Sequence, residues 1–164
     1  MNRFTLKKTA LLFSVVIFAP TLPQAGLAQG VSPMLIGTWK LNLAKSTYSR
    51  GPAPRGRTLT FQRDAQDVKV TFEEIDAQGK STKQDGLLFN DGKFHPAPGV
   101  PAYDAQAYKA VNDSAGWVIR TKAGKVVQTL IGELSADGKT QTITTAGVTA
   151  DGRQINDFSV YDKQ

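Results

Sequence analysis

The chain has 164 residues, no cysteine, a single histidine and a formal charge of +6. That length fits one domain. Without cysteine there is no disulfide scaffold, thiol nucleophile or lipid-modified cysteine, and one histidine cannot by itself assemble a zinc site.

The first 28 residues read as a secretory signal peptide. Arg3, Lys7 and Lys8 precede the apolar run from Ala10 to Ala19, and small residues at Gly26 and Ala28 mark a cleavage point after Ala28. The apolar run is shorter than the ~20 residues that a membrane span requires. Cleavage leaves 136 residues and removes three basic residues and no acid, so the formal charge falls from +6 to +3. An excess this small and scattered argues against nucleic acid, whose partners concentrate Lys and Arg on one face. Residues 29–35 are expected to be disordered, with the folded domain over 36–164.

Short alternating runs then recur between turn residues. Val68, Val70 and Phe72 share one face of a run with a period of two. Turns end in Gly79, Gly92, Gly124, Gly138 and Gly152, where glycine accepts the positive φ of a hairpin. The pattern predicts ten strands, over 36–41, 57–63, 67–75, 80–89, 93–95, 104–111, 116–122, 125–134, 139–148 and 153–162, with one helical turn within 43–48. Strands this regular point to an all-β sandwich or barrel. Hairpin-short connections favour an up-and-down antiparallel meander closed into a lipocalin or fatty-acid-binding-protein-like barrel, since closure removes exposed edges.

In such a meander the connectors alternate between the two ends. The two long ones, 42–56 and 96–103, are the first and fifth, so both fall at one end. They read either as a cover over a barrel mouth or as plain solvent loops. As a cover they bring Arg50, Arg55 and Arg57 near His95 and Tyr103, a basic rim suited to a carboxylate or phosphate.

Gly37-Thr38-Trp39, within Gly37-Thr-Trp-Lys-Leu-Asn42, resembles the Gly-x-Trp signature of lipocalins and related calycin barrels. With Lys45-Ser46, Gly51-Pro-Ala-Pro54, Pro101-Ala-Tyr-Asp104 and Val160-Tyr-Asp-Lys163, the phrase is similar to a family of small exported bacterial proteins of lipocalin-like type. The resemblance implies a barrel whose interior holds a small, mostly apolar ligand. It also implies that Trp39 closes the barrel bottom beneath a cation near the end of the last strand, here a lysine.

His95 has no hydroxyl or acid at a spacing that marks a catalytic dyad. Glu73 and Glu74 are adjacent on a strand and so point to opposite faces. No phosphate loop, hydrolase signature or calcium loop is present. The reading is therefore a periplasmic or secreted, non-enzymatic barrel that binds a small amphiphilic or apolar ligand, anionic heads included. It needs no cofactor or metal and has no membrane span after cleavage. Its ligand contacts are Arg50, Arg55, Arg57, His95, Tyr103 and Trp39. The rival reading is an envelope structural or interaction module whose barrel is filled by its own side chains.

Overall fold

A computed structural model describes residues 30–49, 51–149 and 151–164. The segment 1–28, expected to be a signal peptide, and the expected contact Arg50 lie outside the described residues. Ten strands are present among those described: β1 (Gly37–Leu41), β2 (Gly56–Asp64), β3 (Asp67–Ile75), β4 (Ser81–Leu88), β5 (His95–Pro96), β6 (Ala105–Ala110), β7 (Ala115–Lys122), β8 (Lys125–Leu134), β9 (Thr140–Val148) and β10 (Gln154–Lys163). The helical turn is a single 3-10 turn, Leu43–Lys45, capped by the Asn42 side chain. No helix among the described residues is long and apolar enough to cross a membrane.

All pairings are antiparallel, in one curled sheet of order β4-β3-β2-β1-β10-β9-β8-β7-β6-β5. Each strand pairs with its neighbour in sequence except at two places. The first and last strands join, Leu41 opposite Tyr161 and Trp39 opposite Lys163. On the far side β4 and β5 form no ladder. There the sheet edges meet where β4 nears β6, and the Asn90 amide donates to Asp67.

Register sorts the side chains. Residues directly opposite share a face, and alternate residues of each strand share it too. The inward set therefore includes Trp39 and Leu41, then Arg57, Leu59 and Phe61, and then Val68, Val70, Phe72 and Glu74. Across the lumen it runs through Tyr161, Gln141 and Leu134, and through Ser159, Ile143, Gly132 and Gly116. Its apolar members form one cluster around Trp39, Leu59, Phe61, Val68, Leu88, Tyr108 and Tyr161.

The two ends differ. Residues ahead of β1, expected to be disordered over 29–35, are instead packed from Val31 onward. Val31 and Ser32 are buried, Leu35 joins the cluster, and the Arg63 guanidinium donates to the Val31 carbonyl at 2.6 Å. The reason is apolar: Val31, Leu35 and Ile36 cover the otherwise open end of the core. At the opposite end, the first connector does not arch freely over the mouth. Asn42 to Ser49 runs along β10, with Thr47 and Phe158 exchanging backbone hydrogen bonds and Ser49 bonded to Asp157.

Candidate functional site

The lumen has an apolar half and a polar half. The apolar half, at the end closed by Val31–Ile36, holds a cavity of about 90 Å³ lined by residues such as Phe61, Tyr108, Val118, Leu130 and Ile143. The polar half lies toward the long connectors. It contains a second, larger cavity of about 270 Å³ among Tyr48, Pro52, Pro54, Arg57, Glu74 and Asp157, with Asp76 to Gln78 of the third connector. The first connector thus shares this pocket with the third connector, not the fifth.

Arg57 stands in the polar half because it alternates with Leu59 and Phe61 on the inward face of β2. Its Nε donates to Glu74 at 2.7 Å, its Nη2 also contacts Glu74, and its Nη1 donates to the Tyr161 hydroxyl at 3.2 Å. The guanidinium also lies 5.3 Å from the Phe72 ring centre and 5.8 Å from that of Tyr48. Burial works against its charge, but Tyr161, Glu74 and Tyr48 outweigh burial and hold its pKa above the ordinary value. Tyr48 is fixed by a hydrogen bond from the Ser159 hydroxyl.

Arg120, on β7, is the arginine that faces Arg57's half of the lumen from the other side of the sheet. It sits opposite Gln106 and Gln128 in register, and its Nη1 donates to the side-chain Oε1 of Gln128 at 3.0 Å. Its guanidinium stacks over Tyr103, 4.4 Å from the ring centre. The side chain keeps some exposed surface, yet its Nε is shielded from solvent and has no hydrogen-bond partner, and nor has the Oε1 of Gln106 opposite. Arg120 makes no ion pair with a described residue. Burial, and secondarily the charge of Arg57, lowers its pKa from the usual arginine value, while Tyr103 works in the other direction.

The other expected contacts scatter. Arg55 precedes β2 and is exposed, and its Nε donates to the carbonyl of Ala77, a residue at the polar cavity, at 3.1 Å. His95 bonds Asp91 at 3.0 Å and stacks on Phe89, with ring centres 4.0 Å apart, at the β4–β5 seam. Backbone donation from Lys93, with His95 adding to it, holds the Asp91 carboxyl below its ordinary pKa. Trp39 is fully buried, donates to the Leu35 carbonyl at 2.8 Å, and carries Lys163 Nζ 5.1 Å from its ring centre. The cation expected over this tryptophan is thus Lys163. Of the proposed contacts, Arg57 lines the polar lumen and Tyr103 reaches it through Arg120. Arg120 and Tyr48 were not singled out in the sequence, and Glu74 was read only as one of two adjacent acids on opposite faces of a strand. The signal for Arg120 was its alternation with Val118, which only the choice of inward face makes readable.

Among the described residues no cluster of three or more His, Asp or Glu is placed to hold a metal. No family model and no curated protein matches this sequence. Solved structures do match its shape. The extracellular fatty acid binding protein As-p18 is 15% identical over 83% of this chain and 100% of its own, with a TM-score of 0.52. The fold is that of the calycin barrels. Zebrafish ileal bile acid-binding protein, solved with cholic acid, aligns over 80% of this chain and 99% of its own at 10% identity and a TM-score of 0.49.

Proposed function

We propose that this protein is an exported calycin barrel that binds a small amphiphile with an anionic head. One observation carries the reading: Arg120 is a lumen-facing guanidinium with no carboxylate partner and a shielded, unbonded Nε. It stands two residues from Val118, which lines the apolar cavity. A cation held in this setting is costly without a counter-charge. A carboxylate or phosphate at Arg120 supplies one, and its tail has apolar surface one pleat away. Arg57, already paired with Glu74, adds field and not a vacant partner. Export rests on the amino-terminal charged and apolar pattern.

The volumes restrict the ligand. Pockets for drug-sized ligands run to roughly 300–1,000 Å³, so the two cavities suit a short chain better than a long lipid. The same modest volumes favour the rival reading of a filled interaction module, and titration separates the two. Octanoate should bind the mature chain and octanol should bind more weakly. Absence of binding by either ligand to folded protein would favour the filled barrel.

A further inference from the structure

The cavity at the closed end is not purely apolar. Gln141 lines it, is only 5% exposed, and has its Oε1 shielded without a hydrogen-bond partner. The space exists because Gly116 and Gly132 oppose each other in register on the inward face, so two adjacent strands bring no side chain there. A methyl group at Gly132 would meet nothing nearer than the Gln141 Nε2 at 3.9 Å and the Gly116 carbonyl at 4.0 Å, so the room at that position is real. Around the amide stand Leu130, Leu134 and Ile143. An unsatisfied amide among such neighbours carries a desolvation cost that a matching ligand group would remove.

We infer that this cavity receives the tail of the bound anion and selects a tail that ends in a hydroxyl. The inference rests on the amphiphile reading above and narrows it to hydroxylated amphiphilic acids. A hydroxyl both donates and accepts, so it pairs with whichever end of the Gln141 amide faces it. An anionic tail group would meet the Asp113 carboxylate that also lines the cavity, and a plain methyl leaves the amide as it is. Anion recognition at Arg120 and hydroxyl recognition at Gln141 then fix the ligand at both ends.

The test is calorimetric titration of the full mature chain with hexanoate, octanoate and decanoate, each against its ω-hydroxy counterpart. In a featureless apolar pocket the hydroxyl would weaken binding, because it loses water and gains nothing. At the best-fitting length the ω-hydroxy acid should instead bind roughly tenfold more tightly. Gln141→Leu, close in volume, should reverse that preference while retaining the plain acid. Gly132→Ala, which occupies the same space, should weaken both acids in a fold that still melts cooperatively. The Gln141 side-chain amide resonances should move with the hydroxy acid and stay with the plain one. Plain-acid binding with no hydroxyl preference at any length, as a trapped water on Gln141 would produce, overturns this inference alone. Failure of every acid to bind overturns the amphiphile reading with it.

Discussion

The guanidinium of Arg120 stacks 4.4 Å above the centre of the Tyr103 ring, at the point where the fifth connector returns to the sheet. Arg57, on the inward face of β2, is held by Glu74 and the Tyr161 hydroxyl. The two arginines share a lumen and differ in one respect: only Arg57 has an internal carboxylate. Removing that carboxylate should have opposite effects on stability and on anion binding. Glu74→Gln is expected to lower stability by about 2 kcal/mol, since a largely buried cation loses its partner, and to tighten octanoate binding. Urea unfolding and titration of the same variant check both signs. Unchanged stability would mean that Tyr161 and solvent suffice for Arg57.

Lys163 closes the other end. Its Nζ donates to the Met34 carbonyl at 2.6 Å while lying over Trp39. Lys163→Met should cost about 1–2 kcal/mol, from the lost cation–π contact and hydrogen bond. It should also shift Trp39 emission to longer wavelength, read in a Trp117→Phe background. Lys163→Arg, which keeps the cation over the ring, should preserve much of both properties.

Two hairpin glycines separate backbone strain from crowding. Gly152 has φ +82° with nothing within 4 Å of an added Cβ, whereas Gly138 has φ +67° with the Met34 sulfur 3.4 Å away. Gly152→Val should therefore destabilise by ~1–2 kcal/mol through its backbone alone. Gly138→Val should cost more, because Met34 must also move. Equal urea midpoints for both variants and wild type would contradict the turn geometry.

Burial raises the pKa of the Tyr108 hydroxyl above its ordinary value near 10.0, and that of Tyr161 as well, the latter against an opposing effect from Arg57. In the window from about 10 upward the unfolded chain has released protons that the folded chain still holds, so stability falls as pH rises. Below that window these groups are protonated in both states and contribute no slope. Tyr108→Phe should flatten the alkaline decline in urea midpoint and leave the neutral range nearly unchanged. An identical alkaline slope in the variant would assign the loss to other groups.

Much of the fold was legible because its signals are local. The alternation of Val68, Val70 and Phe72 and the turn glycines depend on neighbours a few residues away, and the ten expected strands match those observed within a few residues at each end. The site was less legible because it depends on which face turns inward. Arg55 and Arg57 look alike in sequence, yet β2 begins at Gly56, so only Arg57 obeys the strand's alternation. Arg120 lies in Trp117-Val-Ile-Arg120, which gives no hint that its neighbours across the sheet are Gln106 and Gln128. The packing of Val31 to Leu35 was missed for a related reason. The few apolar residues there carry no periodicity, and their value lies in the open barrel end they cover.

The most direct test concerns Arg120 itself. Octanoate and octanol are titrated into wild type and Arg120→Met, alongside urea unfolding of both proteins without ligand. Wild type should prefer the acid, and the variant should lose at least about tenfold of acid affinity while its octanol affinity is unchanged. The variant should also unfold at equal or higher urea, because a partly buried cation without a counter-charge has been replaced by an apolar side chain. Equal binding of acid and alcohol by wild type, or an acid preference that survives in Arg120→Met, would contradict the account.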